Sequence, residues 1–355
     1  MFIVDAHLDL SYNALGGRDV TRPAAEQTPD REGIPSVGLP DLRIGGVGLI
    51  CATIFCMPAL PTEPGYRTAD EAAFAARQQL DWYKLQAREA RMRFVTRRDE
   101  LPVPTNDSGA PPVQNSPDHG RATRATGARA AEAQPALLLL EGADPIRSIE
   151  EVQGWFDAGL RIVGLAWKRT RYAGGTGAPG PLTPEGVALV REFDRLGIIH
   201  DASHLAEESF WQLLDISGGP VMASHSNCRS IVPTDRQLSD DMARALFRRD
   251  AIVGINFFDK FLLPPEEHGR RRATLADVVR HVKHLCDLAG DARHVGLGTD
   301  MDGGLGREQI PEEIRTSADL PRLADALSAG GFDDDAVRGI LGENWLRYFH
   351  ANLPQ

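Results

Sequence analysis

Cysteine is scarce in this chain. Its 355 residues include four, Cys51, Cys56, Cys228 and Cys286, and no two form a Cys-x-x-Cys pair. Buried free thiols are therefore expected rather than disulfides. Basic charge is outweighed, with Lys+Arg 39 against Asp+Glu 50 and a formal net charge of -11. That balance argues against a nucleic-acid partner and for a soluble protein. No apolar run reaches about 18 residues, the length of a membrane-crossing helix. No basic segment followed by an apolar one opens the chain, so a cytoplasmic protein with no membrane partner is the expectation.

What is present is enough apolar material, 42% of residues, for a sizeable core. The length is generous for one ordinary domain but normal for an elaborated α/β barrel. Apolar runs and helical patterns alternate along most of the sequence. Strands are expected over 1–4, 47–55, 93–96, 136–141, 160–167, 197–204, 220–227, 251–258 and 294–300. Helices are expected over 69–92, 146–158, 184–196, 206–215, 238–248 and 274–288, with closing helices after 317. The pattern predicts a single (β/α)8 TIM-like barrel spanning 1–355. Residues 102–134, rich in Pro, Ala and Arg without apolar period, predict a flexible insertion that carries no catalytic residue, His119 included.

Candidate chemistry gathers at the strand ends. In Asp5-Ala6-His7-Leu8-Asp9 the alternation of an extended segment puts His7 and Asp9 on one face, half of a divalent-metal site. Four leucines, 137–140, stop at Glu141 and Gly142; a turn residue would read the same way, but the acid is also suited to ligation. Two further strands end at His204 and His225, and another at Asp300. In a barrel of this type all C-terminal strand ends meet at one mouth. Three imidazoles and three carboxylates there exceed what one zinc requires and suit two metals bridged by a carboxylate and a water. His281 and His284 stand three apart on a helix with no acid or cysteine beside them, and a solvated face is expected. The Gly-x-Gly-x-x-Gly within 174–180 does not join a strand directly to a helix and contains a proline, so a loop at the barrel mouth is expected rather than a dinucleotide site.

These motifs, with Leu182-Thr183-Pro184, Asp201-Ala202-Ser203-His204, Ser224-His225-Ser226-Asn227, Gly298-Thr299-Asp300-Met301-Asp302-Gly303 and Gly342-Glu343-Asn344-Trp345-Leu346-Arg347, resemble the renal or membrane dipeptidase family of zinc peptidases in the amidohydrolase superfamily. The resemblance spans nearly the whole chain. It implies that His7 and Asp9 bind a first zinc, His204 and His225 a second, and Glu141 both. It implies that Asp300 moves protons between the attacking bridging water and the leaving amine. Arg236 falls where the family grips the substrate's C-terminal carboxylate, a task a guanidinium fork suits. The implied reaction is hydrolysis of dipeptides, with a D-residue tolerated at the C-terminal position. Relatives are often homodimers.

One position departs from the pattern. Where the family places a histidine after the fourth strand, this chain has Trp167, which can donate one indole N–H but cannot carry positive charge. Lys168, Arg169 and Arg171 follow and are candidates to supply it. Two other readings stay open on the residues: a related amidohydrolase acting on a cyclic amide, a lactone or another small amide, and a non-catalytic metal-binding protein.

Overall fold

The densest apolar runs form the strands of one parallel sheet, because a strand covered on both faces has no use for polar alternation. The structure is a computed structural model describing residues 1–61, 63–104 and 133–355. Its strands are β1 Ile3–Leu8, β2 Val47–Phe55, β3 Met92–Phe94, β4 Gln134–Glu141, β5 Leu160–Gly164, β6 Ile199–Asp201, β7 Val221–Met222, β8 Val253–Ile255 and β9 Val295–Leu297. The path runs β7-β6-β5-β4-β2-β1-β9-β8, and β3 pairs with β4 beside it. A parallel bridge between Ala223 and Val253 joins the two ends. Ala223 N–H donates to the Ile252 carbonyl at 2.9 Å, and Gly254 N–H donates to the Ala223 carbonyl at 2.8 Å. The eight strands of the path thus close as the expected (β/α)8 barrel, with β3 a ninth strand outside it.

The barrel interior is filled by alternate residues of successive strands, among them Val4, Ala6, Leu49, Cys51, Leu137, Leu139, Ile162, Ile199 and Met222. Trp345, Tyr348 and Phe349 of the helix Asn344–Asn352 complete this cluster. The Trp345 indole donates to the Leu297 carbonyl at 3.0 Å, and Asn344 donates to the Val295 carbonyl at 2.8 Å. This helix seals the end of the barrel at which the strands begin. All four cysteines are buried and free.

Several boundaries differ from expectation. The helix expected over 69–92 is Ala69–Arg88, opened by a capping box between Thr68 and Glu71. It stops because Ala90 takes a left-handed turn (φ 55) that feeds β3, where Met92 already lies. The helix expected over 146–158 divides into the turn Ile149–Glu151 and the helix Val152–Asp157. Helix Pro184–Leu196 begins as expected, with the Thr183 hydroxyl accepting from Gly186 N–H. The strands after β4 are shorter than their apolar runs. Beyond each ladder the backbone turns upward into the mouth, and His204 and Asp300 do so with positive φ, 64 and 58.

His281 is not on a solvated face. It is fully buried, its Nδ1 accepting from Cys228 N–H at 3.2 Å and its Nε2–H donating to the Leu262 carbonyl at 3.1 Å. Its neighbour His284 contacts Asp240 Oδ1 at 2.8 Å. The insertion expected over 102–134, with His119, lies mostly outside the described residues; its last residue, Gln134, already opens β4. Among the described residues no helix is long and apolar enough to cross a membrane.

Candidate metal centre

Every strand-end residue singled out in the sequence arrives at one place. His7 lies on β1 and Asp9 directly after it; a register irregularity between Asp5 and Leu8 re-aims the chain just there. Glu141 is the last residue of β4. His7 Nε2 lies 3.7 Å from Asp9 Oδ2, 3.7 Å from Glu141 Oε2 and 4.0 Å from Asp300 Oδ1. The other Glu141 oxygen, Oε1, lies 3.2 Å from His204 Nε2 and 3.3 Å from His225 Nε2. Glu141 therefore stands between two donor sets, His7/Asp9/Asp300 on one side and His204/His225 on the other.

The residues around the imidazoles set which nitrogen faces inward. Ser224 spends its single hydroxyl proton on Asp201 Oδ2, so its oxygen can only accept from the rings. It lies 3.3 Å from His7 Nδ1 and 2.7 Å from His225 Nδ1. Thr176 Oγ1 holds His204 Nδ1 at 3.1 Å in the same way. Protons on the three Nδ1 atoms leave the three Nε2 lone pairs directed at the carboxylates, the tautomer that coordinates a cation. Asp201 also accepts from the N–H groups of Ser203 and Ser224, both at 2.9 Å, so it is saturated as a support. Asp5 supports the other side, accepting from Thr299 N–H at 2.8 Å and from its hydroxyl at 2.6 Å.

The donor set fits divalent cations on the evidence of its unspent valences. His7 Nε2, Asp9 Oδ1 and Glu141 Oε1 are buried polar atoms without a hydrogen-bond partner. Such atoms carry a large cost unless something satisfies them. Mixed imidazole and carboxylate donors suit zinc and similar ions. For His204 and His225 the electrostatics agree, and at His7 two carboxylates draw positive charge to the place a cation would take. Burial drives the His204 imidazole down to about 4, helped by the Arg236 charge. Burial also drives His225 well below its ordinary range, helped by His7 and Arg236. Burial opposes charge on His7 too, but Glu141 and Asp9 outweigh it and hold its pKa well up. Glu141 is held low despite burial, because His7 and His204 face it. Burial, with the charges of Asp9 and Glu141, raises Asp300 to about 8.

A cavity of about 290 Å³ opens over this centre, lined by Asp9, Glu141, His204, His225 and Asp300. Arg236 and Trp167 border it as well. Arg236 is buried, donating from Nη1 to Ser226 Oγ at 3.2 Å and from Nη2 to the His225 carbonyl at 2.6 Å. Its Nε has no partner. The Trp167 ring lies edge-on to Phe55, centroids 5.2 Å apart, and 6.1 Å from the His204 ring. The glycine-rich loop reaches the mouth as expected: Thr176 lines the cavity, and Gly177 N–H donates to Asp235 Oδ2 at 2.7 Å.

The sequence reading did not assign roles to Asn256, Thr176 or Ser224. Asn256 follows β8 and donates to Asp300 Oδ2 at 2.9 Å, orienting that carboxylate. Its place at a strand end was the available signal. Arg169 and Arg171 do not reach the cavity. Arg169 donates to the Pro179 carbonyl, and the Arg171 guanidinium is spent on Asp144 and the Ile146 carbonyl.

Comparison with known proteins places this geometry among relatives. A family model described as membrane dipeptidase (peptidase family M19) matches residues 113–352. An uncharacterized protein of the pqqA 5′ region of Klebsiella pneumoniae is 35% identical over 208 residues, 56% of this chain and 74% of that protein. An uncharacterized dipeptidase of Schizosaccharomyces pombe is 30% identical over 217 residues, 59% of this chain and 51% of its own length. The chain thus spans about half the length of the curated yeast relatives it matches. Among solved structures, a metallo peptidase of family M19, dipeptidase AC, superposes with TM-score 0.79 at 26% identity, covering 100% of this chain and 99% of that one. A Rhodobacter sphaeroides metallo peptidase liganded with a phosphinate mimic of the dipeptide L-Ala-D-Ala gives TM-score 0.79 at 25% identity, covering 99% of each.

Proposed function

Because the chain belongs to the membrane dipeptidase family, we propose that it is a metal-dependent hydrolase of dipeptides working with two zinc ions. The observation that carries this reading is the position of Glu141, with one oxygen toward His7 and the other toward His204 and His225. His7 and Asp9 would hold one ion, His204 and His225 the second, and Glu141 both. Bound there, the ions would polarise the scissile carbonyl and make the attacking water acidic near neutral pH.

The chain's own groups do the rest. Asp300 accepts the proton that the attacking water loses and returns it to the leaving nitrogen, so one carboxylate serves as base and then as acid. The Asn256 side-chain amide donates to Asp300 Oδ2 at 2.9 Å and leaves Oδ1 toward the centre. Arg236 receives the substrate's terminal carboxylate, its position fixed by Ser226 and the His225 carbonyl. Trp167, Phe55, Phe258 and Phe261 form an apolar part of the cavity wall above the reacting centre. Tolerance of a D-residue at the C-terminal position is supported by the L-Ala-D-Ala mimic held by the Rhodobacter sphaeroides neighbour.

The test is hydrolysis of L–L, L–D and Gly-containing dipeptides by protein of measured metal content. Turnover that vanishes on chelation and returns with zinc is expected. A fully metallated protein that cleaves none of them would overturn the reading in favour of an amidohydrolase acting on cyclic amides or lactones.

A further inference from the structure

The cavity above the metal centre holds two side chains with permanent positive charge, and only one has an assigned task. Arg236 is buried and tied to Ser226 and the His225 carbonyl. The other is Lys168, half-buried at the mouth, whose ammonium lies 5.7 Å from the centroid of the Trp167 ring. Among the described residues Lys168 makes no ion pair. The cationic residues beside it are engaged elsewhere, Arg169 with the Pro179 carbonyl and the Arg171 guanidinium with Asp144.

Charge around the cavity sharpens the point. Asp9, Glu141 and Asp300 face the metal centre, and two divalent ions there would more than offset their charge. A terminal carboxylate satisfies Arg236. Lys168 is then left as an uncompensated, half-buried cation at the rim of the cavity, where a charge-assisted contact with a substrate carboxylate is stronger than a neutral one. The indole face beneath it favours the ammonium and narrows its range of positions. Much of the remaining wall, Tyr12, Phe55, Met57, Phe258, Phe261 and Leu305, carries no charge that could pair with it.

Building on the dipeptidase reading, we propose that Lys168 is a specificity residue for a second substrate carboxylate, so that the preferred dipeptides carry an aspartyl or glutamyl side chain. Trp167 acts with it as the platform that holds the ammonium over the mouth. Arginine at 168 preserves the charge, methionine removes it at similar length, and glutamate reverses it.

The experiment measures kcat and KM of the zinc-loaded wild type, Lys168→Met, Lys168→Arg and Lys168→Glu on matched dipeptides with acidic, neutral and basic side chains. The wild type is expected to favour the acidic members. In Lys168→Met the acidic-to-neutral ratio of kcat/KM falls about tenfold or more, chiefly through KM, as loss of one charge-assisted contact requires. Lys168→Arg retains the preference, and Lys168→Glu shifts it toward basic side chains. If neutral dipeptides are cleaved and the ratio is the same in all four proteins, the inference falls while the dipeptidase reading stands. An equal loss of kcat on every substrate in Lys168→Met overturns it too, because that result assigns Lys168 to the chemistry. A wild type that cleaves no dipeptide removes the dipeptidase reading and takes this inference with it.

Discussion

Asp300 is the residue on which the proposed chemistry turns. It lines the cavity beside two other carboxylates, 4.0 Å from His7, with Asn256 holding one oxygen. Asp300→Asn keeps the size and the hydrogen bonds but removes the proton carrier. The variant should retain its metal, by elemental analysis, while kcat falls at least about a hundredfold. Turnover within a few-fold of wild type would exclude Asp300 from proton transfer. At this scale the charged members of the site were legible in the sequence, because His and Asp/Glu at several strand ends stand out against apolar runs. Ser224, Thr176 and Asn256 were not, since an uncharged side chain gains meaning only from the atom it faces. The sequence could show that three histidines meet; it could not show that a serine without a spare proton sets which nitrogen His7 and His225 present, and a threonine the same for His204.

At the scale of elements, the strands were found by their apolar runs, but their ends were not. Val221–Met222 is a two-residue strand inside an eight-residue expectation over 220–227. Hydrophobicity reports burial, and the loop beyond that ladder is as buried as the strand, so the pattern runs on past the last ladder bond. Glycine marks the closest approach there. A Cβ on Gly298 would stand 1.7 Å from the Ser224 carbonyl oxygen and one on Gly254 1.9 Å from it, which is how β8 and β9 close against the segment carrying His225. Helix Leu275–Ala289 shows the converse, since its polar His281 faces inward. Burial holds the His281 pKa down to about 4, against an ordinary 6.5. A proton on Nδ1 would also set two N–H groups against each other at Cys228. The folded pKa lies below the unfolded one, so this contribution to stability is complete above about pH 6.5 and is lost as pH falls toward 4. The slope attributable to His281 is at most about 1.4 kcal/mol per pH unit. Denaturant midpoints measured from pH 7 to 4 should fall less steeply in His281→Gln than in wild type, and parallel profiles would refute the assignment.

For the whole molecule, the barrel is plugged where its strands begin and open at the mouth that carries the metal centre. Trp345 is fully buried, packs against the glycine surface of Gly296 and stacks on Phe349 with centroids 5.3 Å apart. Trp345→Ala should cost about 3–5 kcal/mol, the usual penalty for emptying a large aromatic site. Chemical denaturation of the metal-free protein would show it, and a loss below about 1 kcal/mol would mean that the helix does not plug the barrel. The barrel and its mouth were readable from strand–helix alternation; the plug was not, because helical periodicity near the C-terminus does not say which layer a helix closes. The same closure bears on how the protein comes to life. Synthesis delivers His7 and Asp9 with the first strand, whereas Asp300 emerges only after the ninth, and the sealing tryptophan later still. A half-made chain owns scattered imidazoles but no pocket to hold them together. A metal site drawn from both ends of the chain would therefore be complete only once the last strand has closed the barrel.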